Sequence, residues 1–367
     1  MQQNKRRQGI WSYREWLGVP DDVKAVSLGE GHTPLLEAKN LESILGIKKL
    51  FLKNESVNPS GTYKDRFATV AVSLEKWKRT SAIALGSAGN AAASLAAYAA
   101  VADIPCVVLL PNKAVKERAM QIMSYGAKFL LLEDTIDKCI RLAEEGDKKG
   151  LWKNVSTTTR YYPQGTEGYK TIAYELAEQM NYQVPDWIVC PVGGGSLISK
   201  IYEGFVEMKQ REMITAIPRF AAVQAEGCKP LVEAYEKGEK KTEKWENPDT
   251  IAFAIADIDT FEGETVLQLI EETQGTAVSV DDEDIRRAMI LLSTKEAVLA
   301  EPSSAVTAAA AEKLLQKKIM KEEESAVCII TGNAMRDLKL LTDRIPVPDV
   351  IEDAALETVL KRYREFY

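Results

Sequence analysis

Short, wholly apolar runs that end in small residues and open into helices recur along this chain, and no other feature limits its fold so strongly. Ala82 to Leu85 is one such run, followed by Gly86-Ser87-Ala88-Gly89-Asn90 and an alanine-rich helix to Ala102. Ile104 to Leu110 predicts the next strand, Lys113 to Tyr125 a helix and Ala127 to Leu132 another strand. The text then loosens from Asn154 to Gly168, rich in Thr, Tyr and Gly, and reads as a crossing between units. Beyond it Asp186 to Val192 predicts a strand that ends in Gly193-Gly194-Gly195-Ser196 and a helix. Phe220 to Gln224 is a further strand, Asp282 to Leu299 and Pro302 to Lys317 are helices, and Ala326 to Ile330 is a last strand before Thr331-Gly332-Asn333. Such alternation gives mostly parallel sheets with helices on their faces and right-handed crossovers. An α/β fold follows, and 367 residues suffice for two domains or one large unit. Ligands of such sheets lie beyond the carboxyl ends of the strands, where the small-residue loops are.

One lysine is set apart by its surroundings. Asn58 to Arg66 reads N-P-S-G-T-Y-K-D-R, and Phe67, Val70, Ala71, Leu74 and Trp77 then recur at helical spacing. Pro59, Ser60, Gly61 and Thr62 are turn and cap residues, which places Lys64 in the first helical turn. The positive end of the helix dipole disfavours an ammonium there and lowers its pKa, as a nucleophilic or imine-forming lysine needs. A solvated lysine at a helix start fits the same residues.

Three loops at predicted strand ends have the composition of ligand loops. Gly193-Gly194-Gly195-Ser196, between a buried strand and a helix, offers free backbone N–H groups and a hydroxyl to a phosphate, although many tight turns look alike. Gly86 to Asn90 lets the main chain approach a carboxylate closely, and equally reads as a helix N-cap. Thr331-Gly332-Asn333 ends the final strand with a hydroxyl and is also compatible with a simple strand cap.

N-P-S-G-T-Y-K-D-R resembles the lysine motif of threonine synthase and its relatives, the pyridoxal-phosphate enzymes of fold type II. Three further motifs agree with it in order: Leu28 to Leu35 with its E-G-x-T-P-L, the S-x-G-N loop at Ser87 to Asn90, and Glu301-Pro302-Ser303-Ser304-Ala305. The stretch Val223 to Cys228 is similar as well, and the resemblance covers Leu28 to Asp337. It implies a two-domain fold like that of the tryptophan synthase β subunit, each domain a mostly parallel sheet flanked by helices. Residues 1–64 and 155–367 are expected to form the larger, cofactor-binding domain, and 65–154 the smaller one. The implied cofactor is pyridoxal 5'-phosphate. Lys64 would be its Schiff-base lysine and general base, Gly193, Gly194, Gly195 and Ser196 its phosphate loop, Asn90 the partner of its ring hydroxyl and Thr331 that of its ring nitrogen. Ser87, Ala88, Gly89 and Asn90 would hold the substrate carboxylate. The implied activity is elimination or replacement at the β or γ carbon of an activated amino acid, of which threonine synthase is the archetype. Alternatives are an ammonia-lyase of the threonine/serine type, a specialised synthase using another (phospho)amino acid, or a retired site that only senses an amino acid. A homodimer is implied by the resemblance alone.

Departures from the family pattern fall where a substrate phosphate would be held. Gly165 stands at the family's arginine position, with Arg160 nearby but out of register. Gly194-Gly195-Ser196 is closer to the ammonia-lyase loop, and Asn333 replaces a histidine. Ile255 to Thr260 carries Asp257 and Asp259 in place of an arginine and an asparagine, acids that would repel a phosphate and suit an amine if they reach the site.

Composition excludes other chemistries. The net charge is −7 with both signs mixed along the chain, so nucleic acid is not an expected partner. No apolar run approaches the length of a membrane helix, and the basic N-terminus lacks an apolar stretch behind it; a cytoplasmic protein is expected. The five cysteines form no C-x-x-C, and His32, the single histidine, reads as an exposed loop residue. No metal site and no Ser–His–Asp triad are expected. Trp11, Tyr13 and Trp16 mark an N-terminal arm that packs on the body or on a second subunit, and residues 237–248 read as a solvated excursion.

Overall fold

The apolar runs become buried strands, and the small residues after them become loops along one edge of each sheet. A computed structural model describes residues 9–87, 89–111, 116–133 and 136–341. Among these, β1 (Leu35–Glu37), β2 (Lys49–Asn54), β3 (Ile83–Gly86), β4 (Cys106–Pro111), β5 (Lys128–Leu132), β6 (Lys153–Asn154), β7 (Trp187–Pro191), β8 (Arg219–Ala225), β9 (Thr276–Val280) and β10 (Ser325–Ile330) form two sheets. The larger has the order β1-β2-β10-β7-β8-β9, parallel except where β1 meets β2. The smaller is wholly parallel, in the order β5-β4-β3-β6. Every residue of β3, β7 and β9 is buried, which is why β3 and β7 read as continuous apolar runs rather than as alternation; β9, Thr276-Ala277-Val278-Ser279-Val280, is not among the strands expected from the sequence.

The α/β expectation holds, with differences at element ends. The helix expected over Asp282 to Leu299 stops at Glu296, because Ala297 turns left-handed at φ 55° and caps it. The stretch to Gly168 is not all connection: a helix spans Pro163–Gln179 and contains both Gly165 and Gly168. Packing explains the glycines. A Cβ on Gly168 would lie 2.0 Å from the Arg66 carbonyl oxygen, and one on Gly165 would lie 2.5 Å from the Phe67 ring, so two helices touch where side chains are missing. The helix expected from Lys113 is described over Lys116–Ser124. The aromatic arm packs on the body, where Trp11 donates to Thr69 Oγ1 at 2.8 Å. His32 is half-buried rather than exposed, hydrogen-bonded to Ser12 at 2.9 Å. No described helix is long and apolar enough to cross a membrane.

The Lys64 helix (Lys64–Trp77) is fixed by its own second and third residues. Asp65 accepts the Ser60 N–H at 2.7 Å and hydroxyls from Ser60 and Ser94, tying the preceding loop and the next helix to this one. Arg66 is fully buried between Glu55, at 2.7 Å, and Glu175, at 2.6 Å; Lys53 reaches the other oxygen of Glu175 at 2.6 Å. Burial alone would raise the Glu175 pKa, but Arg66 and Lys53 overcome it and hold this carboxylate well below the usual range. Removing one member of such a cluster strands a buried charge. Arg66→Met is therefore expected to cost about 3–5 kcal/mol of stability. Urea denaturation measures it, and a loss under about 1 kcal/mol would contradict the account.

Candidate active site

The carboxyl ends of β3, β4, β7 and β10 and the segment after β6 line one cavity of about 500 Å³. From β2 the chain passes through a turn to Gly61, whose φ is +87° and whose hydrogen faces Asn333; a Cβ there would lie 2.1 Å from Asn333 Nδ2. Tyr63, not Thr62, takes the N-cap position of the following helix, and Thr62 Oγ1 lies one residue earlier, accepting the Lys64 N–H at 3.4 Å. The lysine loop is stitched to the loop after β10: Tyr63 N–H donates to the Thr331 carbonyl at 2.9 Å, and Asn333 N–H to the Gly61 carbonyl at 3.0 Å. Lys64 then projects into the cavity. Its Nζ donates to Thr157 Oγ1 at 3.1 Å and lies 4.8 Å from the centre of the Tyr63 ring. Burial lowers its pKa to about 8, with Asp257 and Glu301 partly opposing the shift. Desolvation, rather than the helix dipole expected from the sequence, is the main cause of the lowering.

The glycine loop after β7 leads into a helix over Ser196–Gln210. Gly195 adopts φ +98°, and a Cβ on it would lie 2.9 Å from Glu262 Cβ; on Gly193 it would lie 2.5 Å from Asp257 Oδ2. Main chain alone fits there. Ser196 Oγ donates to Glu262 and accepts the Thr159 N–H at 3.3 Å. Thr158 also lines the cavity, and its hydroxyl is buried with no protein partner.

Across the cavity lie Ser87, Gly89 and Asn90 at the end of β3; Ala88 falls outside the described residues. Ser87 Oγ accepts the Gly89 N–H at 3.3 Å. Asn90 Nδ2 is 3.0 Å from both oxygens of Glu301, and its Oδ1 accepts from Arg336. At the end of β10, Thr331 Oγ1 is 2.8 Å from Ser304 Oγ and 3.4 Å from Glu301 Oε1. The described residues expected to hold the cofactor or the substrate carboxylate thus line one space. Among the described residues no group of side chains could hold a metal ion.

Sequence reasoning missed Thr157 and Arg336. Thr157 sits in the stretch read as a mere connection, and Arg336 follows a motif in which attention fell on Thr331. The acid pair separates. Asp257 faces the cavity, whereas Asp259 reaches outward to Lys244 at 3.7 Å.

Comparison with known proteins places this geometry. Residues 26–332 match the family model described as pyridoxal-phosphate dependent enzyme. The chain is 40% identical to threonine synthase of Methanocaldococcus jannaschii over 334 residues, 91% of this chain and 82% of that protein. It is 33% identical to threonine synthase of Mycobacterium tuberculosis over 92% of each chain. Among solved structures, diaminopropionate ammonia lyase from Escherichia coli superposes with a TM-score of 0.73 at 19% identity, covering 86% of this chain and 87% of that one. Maize serine racemase superposes with a TM-score of 0.70 at 21% identity over 91% and 92%. These structures share the fold of two helix-flanked sheets. The chain belongs to the fold type II family of pyridoxal-phosphate-dependent enzymes, and threonine synthases are among its relatives there.

Proposed function

We propose that the protein catalyses elimination or replacement at the β or γ carbon of an activated amino acid, with Lys64 as the residue that carries the cofactor and moves the proton. The observation behind this reading is the placement of Lys64: an amine with a lowered pKa, in a cavity lined also by the glycine loop and by Thr331.

The residues fit pyridoxal phosphate. Gly193, Gly194 and Gly195 form a cradle that a Cβ would fill, at the N-terminus of a fifteen-residue helix, and the unpartnered Thr158 hydroxyl adds a donor nearby. Thr331 and Ser304 offer hydroxyls for the ring end. These hydroxyls are neutral groups, and the Glu301 carboxylate beside them accepts from Asn90 Nδ2. A neutral partner tempers electron withdrawal and suits elimination and replacement better than transamination. Bound there, the cofactor supplies an electron sink for the substrate's Cα.

The protein's own groups do the rest. Ser87, Gly89 and the helix start at Asn90 are assigned to the substrate carboxylate. Lys64, neutral above about pH 8, removes the Cα proton and then serves the β carbon from the same face. Loss of the leaving group is followed by addition of water or another nucleophile, or by release of a keto acid and ammonia. Replacement of the threonine synthase type is the leading assignment, supported by the 40% and 33% identical relatives. The ammonia-lyase type is second, supported by the Gly193 to Ser196 loop. The same reading assigns the six-stranded sheet to a domain of residues 1–64 and 155–367 and the four-stranded sheet to 65–154, with a homodimer as the assembly.

Three outcomes follow. Lys64→Ala loses the visible band of covalently held cofactor and lowers turnover by roughly a thousandfold or more; an active Lys64→Ala protein would sink the assignment. Uptake of pyridoxal phosphate by the apoprotein, timed by absorbance, rises about tenfold per pH unit towards pH 8 and then levels, since only the neutral amine attacks. A profile flat across that range would mean that another step limits uptake. Gly195→Ala forces a side chain onto φ +98° and is expected to weaken cofactor binding by about tenfold or more, measured by equilibrium dialysis. Amino-acid analysis of the products separates the two assignments: a new amino acid marks replacement, and keto acid with ammonia marks the lyase.

A further inference from the structure

The charges inside the cavity are set against a second phosphate. Among the described residues only two cationic side chains line it, Lys64 and Arg336, and both are engaged. Lys64 bonds Thr157, and Arg336 donates to Asn90. Arg160, the one nearby candidate for a phosphate clamp, is solvent-exposed against the Tyr161 ring, 5.4 Å away, and does not line the cavity. Gly165 cannot be replaced by a larger residue without displacing Phe67.

Against these two cations stand three carboxyl groups, Asp257, Glu301 and Asp337. Asp257 differs from the other two. It is solvent-accessible although protein surrounds it, because it projects into the cavity. Among the described residues it makes no ion pair, and its Oδ2 lies beside the glycine cradle, 2.5 Å from where a Cβ on Gly193 would stand. Burial raises its pKa, Lys64 and the Gly194 N–H draw it back, and Asp259 adds slightly to the rise. An acid in that position, next to the phosphate end of the cofactor, adds negative charge where a phosphorylated substrate would bring more.

We propose that the substrate is an amino acid whose side chain ends in a second amino group, which Asp257 receives, and that amino acids ending in phosphate are excluded. The inference rests on the cofactor and Lys64 assignments above and departs from the archetypal synthase at the substrate's side-chain end. An ammonium restores the charge balance of the cavity and gives Asp257 the partner it lacks; a hydroxyl would give the bond without the balance.

The test titrates the yellow holoenzyme with 2,3-diaminopropionate, 2,4-diaminobutyrate, serine, O-phosphoserine and O-phosphohomoserine, following the shift of the visible band. A diamino acid is expected to half-saturate at a concentration about tenfold or more below that of either phosphorylated compound or serine. In Asp257→Asn the diamino acid should weaken about tenfold and the phosphorylated compounds should tighten, so that the ratio of the two affinities shifts by more than about tenfold. Tighter binding of O-phosphohomoserine or serine than of any diamino acid by the wild type would overturn the inference while leaving the cofactor assignment intact. Equal affinities in wild type and Asp257→Asn would do the same. A protein that gains no visible band with pyridoxal phosphate would overturn the earlier assignment itself, a separate failure seen before any amino acid is added.

Discussion

A guanidinium without water holds this structure in order. Arg66 lies wholly inside the protein between Glu55 and Glu175, and Lys53 completes the cluster from β2. Each of these charges would be ruinous alone, and together they leave none uncompensated. The geometry they fix is the entry of the lysine helix. Glu175 also takes the N–H groups of His32 and Thr33, so the entry segment, β2, the lysine helix and the Pro163–Gln179 helix are tied at one point. Lys64, two residues before Arg66, therefore has its direction set from behind, by charges that never meet the substrate.

The loops around the cavity are held in a similar way, by main chain rather than by side chains. Tyr63 and Asn333 bond across the gap between the lysine loop and the β10 loop, and Glu301 N–H reaches the Gly332 carbonyl at 3.0 Å. Glu262 N–H donates to the Gly194 carbonyl at 3.0 Å, which presses the segment carrying Asp257 against the glycine loop. Donors fixed in this manner need little rearrangement when a charged ligand arrives, which is the condition under which they are most effective.

Much of this was legible in the residues. Apolar runs followed by small residues are local signals, and they located β3, β7 and β10 together with the loops at their ends. Lys64 stood out for the same reason. What could not be read locally was decided by packing. The first turns of the Pro163–Gln179 helix looked like loop because they contain Gly165 and Gly168, where Phe67 and the Arg66 carbonyl come close. Asp257 lies in a segment without periodicity, so the chain alone did not separate it from Asp259, although one faces the cavity and the other a surface lysine. Thr157 is placed by the fold of a stretch whose composition says only that it turns.

The position of β10 carries a consequence for how the molecule comes into being. This strand, made of residues 325–330, lies between β2 and β7 and pairs with both. Until it is synthesised, the larger sheet is two fragments with facing open edges, and the cavity lacks the Thr331 wall. The emerging chain must keep those edges apart from other chains for most of its translation, because unpaired parallel edges are templates for association. Assembly of the active cavity is thus a late event, governed by the insertion of one strand from the far end of the sequence.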